Sequence, residues 1–193
     1  MPWTISEPPD HKITRARRLL EENIRGFSGA GPEINETRVR SAVQELLPRD
    51  ENGCAYPAIW RGAYSSDNRL LGAAYAHAPY EYAIEMLSKG DSKAYCAGFL
   101  KSRRTLGGLA VEASMRGQGL GLELLTEIED QARNEGVHHL MGFIDARNGG
   151  PDFYAKNGYH VLPPNKALPR MGPYPITEVH PVYLSGSWFY RIL

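Results

Sequence analysis

Leu109-Ala110-Val111-Glu112-Ala113-Ser114-Met115-Arg116-Gly117-Gln118-Gly119-Leu120-Gly121 reads as a strand, a tight glycine-rich loop and the start of a helix. Leu109 and Val111 alternate with smaller or polar residues, as a strand requires. From Leu120 the apolar period changes. Leu120, Leu124, Leu125, Ile128 and Ala132 fall at helical spacing, and Glu123, Glu127, Glu129 and Asp130 take the other face. Gly136 is placed to end that helix.

A helix start carries unpaired backbone N–H groups and the positive end of the helix dipole, and glycines let that backbone approach an anion. The loop therefore points to a phosphate-bearing ligand. An ordinary strand-to-helix turn is the competing reading of the glycines alone. The stretch is not the phosphate loop of nucleotide hydrolases, because no Gly-Lys-Ser/Thr follows. Nor is it a dinucleotide fingerprint, because the glycines run Gly117, Gly119, Gly121.

Arg116-Gly117-Gln118-Gly119-Leu120-Gly121 resembles the acyl-CoA pyrophosphate loop of the GNAT acyltransferase superfamily, R/Q-x-x-G-x-G/A. The Leu109-Ala110-Val111 strand that enters it is similar too. About thirty residues downstream, Phe153-Tyr154-Ala155-Lys156-Asn157-Gly158-Tyr159 resembles the F-Y-x-x-x-G-F/Y signature of the same superfamily. The resemblance runs from Thr105 to Leu162, about a third of the chain. It implies a mixed α/β fold, with a central sheet whose two middle strands splay apart and helices on both faces.

Composition is compatible with this. The chain has 193 residues, 42% of them hydrophobic, which suits one domain over 1–193 with a sizeable core. Formal net charge is zero, so nothing argues for a nucleic-acid or anionic-membrane partner. Cys54 and Cys96 show neither metal-ligand spacing nor a disulfide framework. The segment Met1–Asp10 has no basic-then-apolar signal, and no run of about 18 apolar residues exists. A cytoplasmic protein without a membrane span or a metal is expected.

Other elements follow from local pattern. Strands are expected at Trp3–Ser6, Ala58–Tyr64, Arg69–His77, Thr105–Glu112, His138–Ile144, Tyr159–Leu162 and Val182–Leu193. Helices are expected at Lys12–Arg25, from Asn35 or Thr37 to Leu47, and at Pro151–Asn157. Residues 79–104 form an insertion near the acceptor site, with a helix through Tyr82, Ile84, Met86 and Leu87 ending near Gly90. Residues 163–181 are proline-rich and irregular.

The resemblance also implies a site. Leu109, Ala110 and Val111 would hold the pantetheine arm of acetyl-CoA, and Arg116, Gly117, Gln118, Gly119, Leu120 and Gly121 its pyrophosphate. Asn148 is taken for the family asparagine that touches pantetheine, although Arg147 holds the expected spacing. Tyr154 matches the tyrosine that serves as general acid toward the CoA sulfur; its plainer role is packing on a short helix. The base is the least defined part. Gly107 and Thr105 stand where relatives carry a carboxylate or histidine. Glu112 is the catalytic candidate, with a salt bridge as its plainer role, and Glu81, Glu85 and His77 are further candidates. Trp60, Tyr64, Tyr75, Tyr80 and Tyr82 either line an acceptor pocket or fill the core.

The expected activity is acyl transfer from acetyl-CoA to a primary amine of a small molecule, with a homodimer as an option. Acetylation of protein lysine or N-termini is the nearest variant. A non-catalytic acyl-CoA sensor is the rival from another class, and a toxin acylating charged tRNA is disfavoured by the neutral charge.

Overall fold

A computed structural model describes residues 3–24, 56, 58–145, 150–164, 166, 168 and 186–193. The expected helix at 35–47, the segment 169–181 and Asn148 lie outside these residues.

In chain order the elements are β1 (Trp3–Ser6), α1 (Asp10–Asn23), β2 (Ile59–Ser65), β3 (Leu70–His77), α2 (Tyr80–Ser88), α3 (Lys93–Ser102) and β4 (Arg103–Val111). A 3-10 turn (Ala113–Met115) leads to α4 (Leu120–Asn134), β5 (His139–Asp145), α5 (Pro151–Lys156), β6 (His160–Val161) and β7 (Gly186–Ile192). Seven strands form one sheet in the order β1-β2-β3-β4-β5-β7-β6. All neighbours are antiparallel except β4 and β5.

The helix after the glycine loop forms as its apolar period requires. Leu120, Leu124, Leu125, Ile128 and Ala132 are all buried, packed with Leu71, Ala74, Leu106, Leu140, Ile144 and Phe189 from the sheet. Each buried leucine or isoleucine contributes about 1.5–3 kcal/mol relative to exposure. Gly136 ends the helix at φ 73°, with its N–H bonded to Arg133 O and the Val137 N–H to Ala132 O.

On the opposite face, α1 buries Ala16 and Leu20 against Trp60, Tyr64, Leu70, Ala73, Tyr75 and Ala110. Beside it α2 and α3 pack on β5 and β7, joining Ala83, Cys96, Phe99 and Leu100 to Met141 and Trp188. The 79–104 segment thus holds a second helix beyond the expected one. Ser92 caps it by accepting from the Tyr95 N–H at 3.2 Å. A Ser followed by Lys-Ala-Tyr-Cys-Ala-Gly-Phe-Leu carries that signal, with Cys96, Phe99 and Leu100 as its buried stripe.

Candidate active site

Two departures from regular pairing make the site. The first lies between β4 and β5. Arg103 to Thr105 pair with His139 to Met141, and the ladder stops there. The six residues Leu106 to Val111 of β4 continue without pairing to β5. The two parallel strands part at this point.

The second is a bulge in β4. Tyr75 faces Gly108 and Ala76 faces Leu106, so Gly107 is the extra residue. A bulged residue leaves the ladder and turns the chain. The alternation flips accordingly. Leu106 faces α4, and after the bulge Leu109 and Val111 do so, while Ala110 packs toward α1. The Gly107-Gly108 pair is the sequence signal for this irregularity.

A cavity of about 660 Å³ fills the space between the parted strands, within the usual range for ligand sites. One wall is β4 from Leu106 to Val111. The other carries Phe143 and Ile144 of β5 and Phe189 of β7, with Phe153 and Tyr154 of α5 beside them. At its mouth lie Met115, Arg116, Gly117, Gly119, Gly121 and Leu122, with Asn23 and Ile24 from the end of α1.

The mouth has a backbone geometry that suits an anion. Gly117 and Gly119 have φ values of 75° and 90°, and a Cβ at either would meet nothing within 4 Å. These glycines are required by backbone shape, and they leave open space above the chain. Gly119 is the residue before the first turn of α4, and its carbonyl accepts from Leu122 and Glu123 at 2.9 and 3.1 Å. Among the described residues no backbone bond uses the N–H groups of Gly117 to Gly121. Arg116 is exposed, and its guanidinium donates to Val111 O and to Asn23 Oδ1 at 2.9 Å, tying the loop to α1. The Gln118 side-chain amide donates to Ser114 O. Leu120 points into the core, so its contribution to a ligand is its backbone N–H.

Tyr154 stands across the cleft from β4. Its ring stacks on Phe189 at 3.8 Å and 17°, with the edges of Phe153 and Tyr159 at 5.1 and 5.6 Å. Phe189 in turn lies directly over Gly142, where a Cβ would come within 2.3 Å of its ring. Burial pushes the Tyr154 phenol well above the ordinary tyrosine value, so it stays protonated and can donate. Among the described residues its hydroxyl has no hydrogen-bond partner. Tyr159 is held by Glu129, a buried carboxylate 2.7 Å from its hydroxyl that also accepts from Arg191 and Arg133. Burial and that carboxylate raise the Tyr159 phenol further still.

The structure thus gathers Leu109, Ala110, Val111, the glycine loop and Tyr154 around one cavity. It does not bring Glu112 there. That carboxylate pairs with Arg69 at 2.8 Å and edges a separate hollow beneath α1 with Thr14, Arg15 and Arg18. Position explains this: Glu112 follows the last strand residue, where the chain turns away toward the loop. Glu81 is exposed on α2. Trp60, Tyr64 and Tyr75 fill the core under α1. Phe143, Phe189, Asn23 and Ile24 line the cavity without having been singled out in the sequence. Phe143 and Phe189 sit on ordinary alternating strands, and Asn23 and Ile24 arrive from a distant helix end, so only tertiary structure places them there.

A mixed sheet opened between two parallel strands, with a glycine loop where the opening meets a helix start, makes a cleft whose shape suits an extended phosphate-bearing ligand. Residues 18–159 match the model of the acetyltransferase (GNAT) family, and the chain belongs to that family of acyl-CoA-dependent acetyltransferases. No curated protein matches the chain. Among solved structures it is similar in fold to an acetyltransferase of the GNAT family from Staphylococcus aureus, at 12% identity, TM-score 0.59 and 99% of both chains. It is similar to yncA from Salmonella typhimurium, solved with its cofactor acetyl-CoA, at 17% identity and TM-score 0.56, over 100% of this chain and 95% of that one. It is also similar to a ribosomal-protein-alanine N-acetyltransferase from Brucella melitensis, at 16% identity and TM-score 0.56, over 98% and 99%.

Among the described residues no group of three or more His, Cys, Asp or Glu is placed to hold a metal ion. No helix among them is long and apolar enough to cross a membrane. Cys96 is buried and not in a disulfide; Cys54 lies outside the described residues.

Proposed function

We propose that this cleft binds acetyl-CoA along β4 and transfers its acetyl group to a primary amine of a small molecule. The observation that carries the reading is a cavity running without a break from the glycine loop, along the unpaired edge of β4, to the bulge at Gly107, with Tyr154 across from it.

The dimensions support it. Extended chain advances about 3.3–3.6 Å per three bonds, so the roughly dozen bonds from pyrophosphate to sulfur in the pantetheine arm span about 14 Å. Four strand steps, from Val111 to Gly107, span about 13 Å. A pyrophosphate held by the N–H groups of Gly117 to Gly121 therefore puts the thioester at the bulge.

The chemistry follows from the residues there. The N–H released from the ladder by the bulge polarises the thioester carbonyl, as a preorganised oxyanion donor does. The free amine attacks the carbonyl carbon, the C–N bond forms and the C–S bond breaks, the Tyr154 phenol gives its proton to the departing sulfur, and the proton shed by the acylated nitrogen restores the phenol by way of solvent. The apolar walls, Phe143, Phe153 and Phe189, exclude water that would hydrolyse the thioester. The proposal includes a cytoplasmic location, where acetyl-CoA is available and thiols stay reduced.

The test is thiol release from acetyl-CoA across a library of small amines, with a lysine-bearing peptide and an N-terminal alanine peptide alongside. Release with a small amine supports the proposal. Release only with a peptide replaces the acceptor class. Binding of acetyl-CoA with no release under any condition favours the sensor reading.

A further inference from the structure

We propose that Asn23, the last residue of α1, is a positioning residue for the donor: it holds the Arg116 guanidinium at the mouth of the cleft with its charge uncompensated, so that the cation meets the pyrophosphate of acetyl-CoA. The proposal rests on the acetyl-transfer reading above. Both residues line the cavity mouth. They stand 93 residues apart in the chain and meet because α1 ends there, with Ile24 beside Asn23 on the same wall.

The asparagine has one definite orientation. Its Nδ2 donates to Leu19 O at 2.9 Å, and its Oδ1 accepts from Arg116 Nη2 at 2.9 Å. A carbonyl only accepts and a guanidinium only donates, so both bonds fix the amide the same way round. Arg116 Nε donates to Val111 O at 3.2 Å. Nε and Nη2 share one edge of the guanidinium, and that edge is given to the protein. Nη1 and the second Nη2 hydrogen are the donors that remain. Among the described residues no bond uses them.

The charge is also left over. The two partners of Arg116, a carbonyl and an amide, are neutral. Arg61, Arg69, Arg104, Arg133 and Arg191 each face a carboxylate. Among the described residues Arg116 faces none: Glu112 is held by Arg69, Glu22 by Arg18, and Glu123 accepts from Trp3. Arginine binds phosphate through two parallel N–H groups of its fork. An exposed arginine free to rotate would lose side-chain entropy on doing so. The bonds to Asn23 and Val111 order it before the ligand arrives. Asparagine suits this position where aspartate would not. Either accepts from Nη2, but a carboxylate would neutralise the cation that the pyrophosphate needs.

Calorimetric titration with acetyl-CoA tests the proposal. Asn23→Ala is expected to bind about tenfold weaker than the parent, the lower end of what one hydrogen bond to a charged group contributes. In an Arg116→Met background the same change alters affinity less than twofold, because the group it positions is gone. Asn23→Asp keeps the hydrogen bond but pairs with the guanidinium. It binds acetyl-CoA at least tenfold weaker while its melting temperature does not fall. Added sodium chloride weakens binding to the parent more steeply than to Asn23→Ala, since the variant has less of the ionic contact to screen. Equal losses from Asn23→Ala with and without Arg116 overturn the proposal. So does parental affinity in Asn23→Asp, which would make Asn23 a tether of the loop and nothing more. No binding of acetyl-CoA by the parent overturns the acetyl-transfer reading instead.

Discussion

Gly142→Ala is expected to lower both stability and turnover, although alanine ordinarily suits a strand interior better than glycine by roughly 0.5–1 kcal/mol. The added Cβ would stand 2.3 Å from Phe189 Cζ and 2.7 Å from Cε1, against an ordinary contact beginning near 3.4 Å. The ring must therefore retreat by about 1.1 Å, the difference between 3.4 and 2.3 Å. It cannot do so freely, because its other face stacks on Tyr154 at 3.8 Å. The displacement passes to the Tyr154 phenol, which the proposed function sets opposite the thioester. Overpacking of this kind costs about 1–3 kcal/mol, which in a chain of this size lowers Tm by about 3–10 °C. A misplacement near 1 Å at the reacting centre costs on the order of 100-fold in rate. Gly121→Ala is the matched control for stability alone, because Gly121 lines the cavity. Its Cβ would meet Val111 and Phe153 at 3.7 and 3.8 Å, ordinary contact distances, and it is the second residue of α4. It gains helix propensity of up to about 1 kcal/mol and raises Tm. Differential scanning calorimetry on both variants and thiol release on Gly142→Ala give the answer. An unchanged or higher Tm for Gly142→Ala, with parental turnover, refutes the chain of contacts from Gly142 through Phe189 to Tyr154.

Tyr154→Phe keeps the ring stack and removes the proton donor. It is expected to lower kcat about 100-fold, within the usual range for a general acid, while calorimetric affinity for acetyl-CoA stays within threefold; an unchanged kcat removes Tyr154 from the chemistry. Alkaline unfolding carries a second expectation. Tyr154 and Tyr159 both hold their protons above the ordinary tyrosine value. The stability they contribute is therefore complete below about pH 10 and falls as the unfolded chain begins to lose protons that the folded chain keeps, by about 1.4 kcal/mol per pH unit for each group. Urea midpoints measured from pH 9 to 11 should fall less steeply in Tyr154→Phe than in the parent; identical slopes contradict the burial of that phenol.

Local chemistry explains how much of this was legible in the sequence. The change of period at Leu120, the positive-φ glycines and the Schellman stop at Gly136 are short-range features, and the strand-loop-helix unit formed where they stand. The parting of β4 from β5 came from the family resemblance, and no residue pattern marks it, because it depends on where a parallel ladder ends. The bulge was not read from the sequence: Gly107-Gly108 is compatible with one, but only the register of β3 shows that a residue is extra and which it is. Glu112 was read for its chemical type next to a functional loop. Its direction is set by the turn after Val111, which aims it at Arg69.

Calorimetric titration of acetyl-CoA into the parent and into Gly119→Val tests the central claim most directly. Gly119 has φ 90° with open space above it, so valine acts there through the backbone shape of the anion loop. The account predicts one site per chain in the parent and at least tenfold weaker binding in the variant. Equal binding by both would detach the ligand from the loop, and no binding by the parent would contradict the account at its root.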